Sequence, residues 1–135
     1  MTTETVTSKK IAETDRLNFL SRHLGKLCVE VEQYVYKLAD MYVKDYNGGY
    51  WEFYELSNGG FYIAQNEAEL IKFENQDNYF ETVADANTIG MVLTLFTLSE
   101  LSFKYPEGLL AEKFHLLRDY ALDSEHGAII AKAID

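Results

Sequence analysis

Side chains that could carry out chemistry are few in this chain, and their spacing matches no common reactive group. His23, His115 and His126 are far apart, and no closely spaced pair of histidines or cysteines accompanies them. Zinc sites are built from such pairs, so the sequence predicts no metal ion. Cys28 lies seven residues before Val35, on the apolar side of a predicted helix. A cysteine there is expected to be a buried hydrophobic residue and not a nucleophile.

Paired carboxylates and glycine-rich phosphate loops are not supported either. Glu52 and Glu55 are three residues apart on a predicted strand, so their side chains point to opposite faces and cannot share acid and base roles. Neither Gly-Gly pair is followed by Lys-Ser or Lys-Thr, and neither opens a helix after a strand, as a phosphate loop does. We therefore expect no catalytic residues, no cofactor and no enzymatic activity.

Residues 47–64, NGGYWEFYELSNGGFYIA, combine aromatic, strand-forming residues with two glycine pairs. The first pair is predicted to end a helix, because glycine adopts the left-handed backbone of a helix terminus without steric cost. The second pair follows an asparagine, and Asn-Gly between two strand-like runs predicts a hairpin with a two-residue turn. We interpret the following residues as backbone requirements of the fold: Gly48, Gly49, Asn58, Gly59 and Gly60.

A two-residue turn places Glu55 opposite Tyr62 and assigns the hairpin side chains to two faces. The face predicted to meet the helices carries Tyr54, Leu56, Phe61 and Ile63. The opposite face carries Trp51, Phe53, Glu55, Tyr62 and Ala64. Because tryptophan and tyrosine are enriched at the energetic centres of protein interfaces, we predict that this second face binds a partner protein through Trp51, Glu55 and Tyr62.

Acidic residues dominate the charge of the chain, whose formal net charge is −10. Residues 45–103 contain ten acidic residues and a single basic one, Lys72. This charge disfavours direct binding to nucleic acid or to anionic membranes. The simplest interpretation is a solvated acidic surface, and the alternative is contact with a basic, DNA-binding groove. The candidate acidic contacts are Glu67, Glu69, Glu74, Asp77, Glu81 and Asp85.

Helices flank the hairpin in the predicted order of elements. A short helix begins at Thr14 or Asp15 and ends at Gly25, and a longer amphipathic helix runs to the glycines at residues 48–49. A third strand near residues 69–73 is predicted to extend the hairpin sheet, followed by a polar loop at residues 75–82. Residues 82–85 resemble a capping box that opens an apolar helix toward Phe103.

The remaining segments complete a prediction of one small α+β domain. Pro106 is predicted in the first turn of the next helix, and Ser124 is predicted to cap a last short helix. The charge-free run at residues 86–99 is shorter than the roughly 18 residues of a membrane span, so we predict a buried core helix. The prediction is a flexible tail at residues 1–13 and a single domain at residues 14–135, with about three antiparallel strands packed against several helices.

The segment YNGGYWEFYELSNGGFYIA, residues 46–64, resembles the signature segment of the KlcA/ArdB antirestriction family. One departure is Gln65, at a position where the family often has proline after the second strand. The resemblance implies a mixed α/β fold with a small antiparallel sheet. It also implies a cytoplasmic protein of bacterial hosts, carried by plasmids and other mobile elements, that protects incoming DNA from type I restriction systems. The resemblance assigns no catalytic residues to this chain.

Several mechanisms are compatible with this resemblance. The preferred one is a protein–protein interaction with a component of the type I restriction–modification system or with an accessory host protein. An alternative is an acidic DNA mimic that occupies the DNA channel of a restriction enzyme, with carboxylates at about the spacing of phosphates. A third is a small ligand-binding domain or enzyme unrelated to restriction, which would need a concave pocket. The oligomeric state is not predicted.

Overall fold

The computed structural model describes residues 5–75 and 80–134. The described residues form five α-helices: α1, Arg16–Leu24; α2, Cys28–Tyr42; α3, Ala86–Lys104; α4, Leu109–Asp123; and α5, Gly127–Ile134. They form five β-strands: β1, Ser8–Lys10; β2, Trp51–Leu56; β3, Phe61–Gln65; β4, Ile71–Asn75; and β5, Phe80–Ala84. The order of helices and antiparallel strands confirms the predicted α+β class.

The strands form two antiparallel sheets, not the single meander that the sequence predicted. The larger sheet has the order β1-β2-β3, and β4 pairs with β5 in a separate two-stranded ribbon. The predicted extension of the hairpin by residues 69–73 is therefore wrong. The prediction of a polar loop at residues 75–82 is also wrong for residues 80–82, which belong to β5. Residues 76–79 lie outside the described part of the chain.

The third strand of the larger sheet comes from the segment predicted to be a flexible tail. Ser8 pairs with Leu56 and Lys10 with Tyr54, and the amide of Ile11 donates to the carbonyl oxygen of Phe53 at 2.8 Å. The outer edge of β2 would otherwise present unpaired backbone groups, and β1 satisfies them. The predicted tail at residues 1–13 is therefore wrong for residues 8–11, while residues 1–4 lie outside the described residues.

The hairpin turn contains three residues, not two. The amide of Leu56 donates to the carbonyl oxygen of Gly60 at 2.9 Å, which leaves residues 57–59 as the loop. Gly59 has φ +96°, a backbone conformation that favours glycine. The side chain of Asn58 stabilises the longer loop, because its Oδ1 accepts from the Gly60 amide and its Nδ2 donates to the carbonyl oxygen of Leu116, each at 2.9 Å.

This loop shifts the register by one residue, so that Tyr54 pairs with Tyr62 and Glu55 with Phe61. A slip of one residue moves every side chain of one strand to the other face. Both faces of the hairpin are covered. Phe19 of α1 stacks on Phe53 at a centroid distance of 5.7 Å. On the other face Tyr62 lies 6.4 Å from Tyr120 of α4.

Helix α3 is the central element of the core, as the apolar run at residues 86–99 predicted. By length and composition it could cross a membrane, but 67% of its apolar window is buried inside the protein. Its N-cap is Asp85, whose carboxylate accepts a hydrogen bond from the Thr88 hydroxyl. Thr82 belongs to β5, so the capping box predicted at residues 82–85 is wrong.

The ends of the other helices match the predictions in part. Asp15 and Gly25 flank α1 as expected. Helix α2 ends at Tyr42, before the predicted glycines, because Val43 leaves it to form a bridge with Phe73. Gly48 and Gly49 instead supply positive φ values in the connection to β2. The next helix, α4, begins at Leu109, so Pro106 precedes it and does not lie in its first turn.

Candidate functional site

The predicted outward aromatic face of the hairpin is buried. Trp51 is 4% exposed and Tyr62 is 2% exposed. The Trp51 ring packs against Tyr36 at a centroid distance of 5.2 Å, and its Nε1 donates to the Tyr46 hydroxyl at 3.3 Å. The premise that these two rings are exposed to a partner is therefore wrong, because helices cover both faces of the hairpin.

Tyr62 is the middle ring of a stack of three tyrosines. Its ring lies 4.7 Å from Tyr54 and 6.4 Å from Tyr120, with interplanar angles of 7° and 18°. Its hydroxyl lies 3.4 Å from Ser8 Oγ. Burial raises the pKa of Tyr62 above its ordinary value, so the ring is a neutral packing element of the core.

Glu55 lies on the face opposite to Tyr62 and belongs to a chain of polar groups. Its Oε2 lies 3.2 Å from His23 Nε2, and His23 Nδ1 lies 3.1 Å from Lys113 Nζ. Arg22 also contacts Glu55, at 3.7 Å. We call His23, Glu55 and Lys113 the Lys-His-Glu cluster. It joins α1, β2 and α4, which explains why sequence spacing did not reveal it.

Burial changes the protonation of this cluster. The pKa of His23 is lowered, chiefly by burial and also by the positive charges of Lys113 and Arg22, although Glu55 opposes the change. Burial likewise lowers the pKa of Lys113, while Glu112 and Glu55 oppose it. The folded protein therefore favours a neutral His23 imidazole.

Four of the candidate acidic residues lie on or beside the ribbon of β4 and β5. Glu74 and Glu81 are directly opposite each other, and Lys72 is opposite Val83. The Lys72 ammonium lies 3.1 Å from Glu74 Oε1. Glu67 and Glu69 are exposed in the connection that leads into β4. We call this surface the acidic ribbon: Glu67, Glu69, Leu70, Lys72, Glu74, Glu81 and Val83.

Two apolar side chains lie among these charges, since Leu70 is 68% and Val83 is 53% exposed. The inner face of the same ribbon carries Ile71 and Phe73, which are buried in the core. This alternation leaves one face of the ribbon available to solvent. The acidic ribbon is thus an exposed surface that combines carboxylates with apolar groups.

The fifth acidic candidate, Asp85, lies at the start of α3 and is not part of the acidic ribbon. Asp85 occupies the N-cap position of α3, and its Oδ1 lies 3.7 Å from His126 Nε2. Asp77 lies outside the described residues. The structure therefore brings together four of the six predicted acidic contacts and places a fifth at another site.

A cavity of about 430 Å³ lies beside Asp85. Its lining includes Tyr62, Tyr120, Asp123 and His126. A second cavity, of about 300 Å³, is lined by Arg16 together with Tyr36, Tyr50 and other residues. Within the described residues, no group of three or more histidine, cysteine, aspartate or glutamate side chains could hold a metal ion.

Arg16 is a residue that sequence reasoning missed. Its guanidinium lies 4.4 Å from the ring centroid of Tyr50 and 4.6 Å from that of Phe53. It also donates to the carbonyl oxygen of Trp51 and lies 3.9 Å from Glu52 Oε2. These contacts tie the first turn of α1 to β2, and only the tertiary structure brings them together.

Comparison with known proteins gives consistent similarities. The sequence model of the antirestriction protein family matches residues 44–135. The antirestriction protein KlcA of Escherichia coli is 36% identical, over 96% of this chain and 95% of that protein. The putative antirestriction protein YubI of Escherichia coli K12 is 32% identical, over 70% of this chain and 67% of that protein.

A solved structure from work on the KlcA and ArdB proteins has the same fold, with a TM-score of 0.90 and 36% identity. The alignment covers 100% of both chains. That work describes a novel fold and antirestriction activity against Type I DNA restriction systems in vivo but not in vitro.

Proposed function

This chain belongs to the antirestriction protein family, and we propose that it protects incoming mobile-element DNA from host type I restriction–modification systems through a protein–protein interaction, without catalysis. The observation that carries the proposal is full-length similarity to proteins with this activity in vivo. The site of action is the cytoplasm of the bacterial host, where restriction enzymes meet incoming DNA.

The KlcA and ArdB proteins are active in vivo but not in vitro, which supports a partner that is present only in the cell. An inhibitor that filled the DNA channel of a restriction enzyme would act in a purified assay. Activity only in the cell is expected when the partner is missing from that assay. The partner is therefore an accessory host protein, or a component of the restriction system in a state found only in the cell.

The acidic ribbon is the proposed contact surface. Leu70 and Val83 are exposed apolar groups, and burying such groups supplies binding energy. The carboxylates around them, Glu69 and Glu81 among them, would steer association with a basic surface and discriminate against acidic proteins. The partner is thus expected to have an apolar pocket rimmed by lysine or arginine.

The acidic ribbon also supports a second candidate function, DNA mimicry. Glu74 and Glu81 are opposite each other across the ribbon. Lys72 forms an ion pair with Glu74, and in the chain it separates this pair from Glu67 and Glu69. The Lys72 charge lowers the negative charge density of the ribbon, which a mimic of the DNA phosphates would have to match. Lys72 therefore favours the protein contact over mimicry.

The proposal is tested by the plating efficiency of unmodified phage on bacteria with a type I restriction system, with and without expression of this protein. We expect plating to rise toward that on a restriction-deficient host. A fully methylated phage, which the restriction system does not cut, serves as the control. Unchanged plating despite folded protein would contradict the proposal and favour a ligand-binding role for the 430 Å³ cavity.

A further inference from the structure

Lys113 lies at one end of the Lys-His-Glu cluster, in an arrangement that activates nucleophiles. Its Nζ lies 3.1 Å from His23 Nδ1 and 2.8 Å from the carbonyl oxygen of Gly59. The other ring nitrogen of His23 lies 3.2 Å from Glu55 Oε2. A nucleophile bonded to a base, with the base oriented by a third group, is the general pattern of covalent catalysis.

The hydrogen bonds define the tautomer of His23. Lys113 is a donor, so Nδ1 of a neutral His23 must accept, and Nε2 then carries the hydrogen that it donates to the Glu55 carboxylate. The ring is held between Phe19 and Phe61, at centroid distances of 4.7 Å and 5.2 Å. His23 is therefore positioned to take a proton from Lys113, and Glu55 is positioned to stabilise the imidazolium.

The hydrogen bonds of Lys113 also leave its amine lone pair free to act as a nucleophile. In the neutral amine, the two N–H groups point to His23 and to the Gly59 carbonyl oxygen, which leaves the lone pair free in the remaining direction. Lys113 is only partly buried. The neutral form is more populated than in an ordinary lysine because burial lowers the pKa of Lys113.

We propose that Lys113 is a covalent modification site, at which an acyl phosphate transfers its acyl group to the amine while His23 accepts the proton. The Nζ lone pair forms the new N–C bond, and the C–O bond to phosphate breaks. Inorganic phosphate leaves with that electron pair. The amine proton passes to His23 Nδ1 and from there to water, so no oxidant or other reactant is needed.

Acylation changes the surroundings of the hairpin loop. The product is a neutral amide with a single N–H, so it cannot keep both the bond to His23 and the bond to the Gly59 carbonyl oxygen. It also removes the positive charge that lowers the pKa of His23. The modified protein should therefore have a His23 with a raised pKa, which NMR titration of the imidazole measures.

The test treats the full-length protein with acetyl phosphate near neutral pH and measures the initial acetylation rate at each lysine by mass spectrometry. Lys44 and Lys132, which are exposed, serve as references within the same molecule. We expect Lys113 to react about tenfold faster, a modest part of the ~10²-fold or more that a positioned base contributes in enzymes. In protein unfolded by guanidinium chloride, the three rates should become equal.

Two variants separate activation from simple accessibility. His23→Gln keeps a hydrogen-bonding side chain but cannot accept the proton, so the rate at Lys113 should fall to that at Lys44. If His23→Gln does not fold, Glu55→Gln replaces it in the test, at a side chain that is 37% exposed. This variant should also lower the rate at Lys113. Equal rates in the native protein, or an unchanged rate in the folded variants, would overturn the proposal. These rates do not depend on antirestriction activity, so each proposal fails separately.

Discussion

The hydroxyl of Thr94 on α3 satisfies the outer edge of β3 at Ile63. Thr94 Oγ1 accepts from the Ile63 amide at 3.2 Å and donates to the carbonyl oxygen of Gly90 at 2.8 Å. An edge strand presents unpaired backbone groups that must be covered. Gly90 allows this approach, because a Cβ there would lie 2.4 Å from the Cβ of Ala64.

Thr94→Val should destabilise the fold. Valine has nearly the same shape but leaves the buried Ile63 amide without an acceptor, which costs about 1–3 kcal/mol of unfolding free energy. Urea denaturation measures the change. Thr94→Ser keeps the hydroxyl and is the matched control. Unchanged stability in Thr94→Val, together with a loss in Thr94→Ser, would show that packing of the methyl group, and not the hydrogen bond, stabilises this contact.

Neutralising the acidic ribbon should weaken protection without unfolding the protein. In the variant that changes Glu67, Glu69, Glu74 and Glu81 to glutamine, loss of steering should slow association about tenfold or more. Phage plating should then fall part of the way toward that of cells without the protein. Complete loss in a protein with native circular dichroism would favour DNA mimicry instead.

A control for this variant removes the same number of charges from exposed positions elsewhere. The four positions, changed to the corresponding amides, are Asp40, Glu107, Asp119 and Glu125. We expect full protection from this control. Equal losses in the two variants would mean that net charge matters and that the acidic ribbon is not a specific contact.

Removing the apolar groups of the acidic ribbon separates the two candidate mechanisms. Leu70→Ser and Val83→Ser together should abolish protection if the ribbon buries these side chains against a partner. DNA mimicry depends on carboxylates and predicts no loss. Both side chains are more than half exposed, so thermal unfolding should change little. Val29→Ser, at a residue that is 65% exposed on α2, is the control.

Trp51 should matter for stability and not for partner binding. Trp51→Ala is expected to cost about 3–5 kcal/mol of unfolding free energy, because the ring is a buried part of the core. Trp51→Phe keeps most of the packing and loses the bond to Tyr46, and it should retain protection. Loss of protection in a Trp51→Phe protein of normal stability would restore Trp51 as a partner contact.

Acid should destabilise the protein through His23. Its pKa in the folded state is below the ordinary value of 6.5, so the unfolded state binds the proton more readily. This contribution to stability is complete above about pH 6.5 and is lost as the pH falls toward the folded-state pKa. Urea denaturation at about pH 7.5 and about pH 5.5 measures the loss.

His23→Gln should reduce this pH dependence, since glutamine does not titrate. His115→Gln, at an exposed residue, should leave it intact. If the two variants have the same pH dependence, other groups account for the acid sensitivity and the His23 explanation is wrong.

Local patterns predicted most individual elements of this fold. The ends of α1 and the apolar helix α3 follow from caps and hydrophobic runs, whose signals lie within a few residues. The hairpin was predicted, but its register was not. Asn58 selects the longer loop partly through a bond to Leu116, which is far away in the sequence. That single residue of slip placed Tyr62 on the opposite face from Glu55.

The sequence by itself determined the family, the fold class and the acidic charge, because composition and short motifs carry these properties. Only the tertiary structure decided which of these residues reach solvent and which meet. Burial of Trp51 depends on helices that cover both faces of the hairpin, and the Lys-His-Glu cluster depends on contacts between α1, β2 and α4. Contacts between distant residues leave no periodic trace in one sequence, since each partner is compatible with many other surroundings.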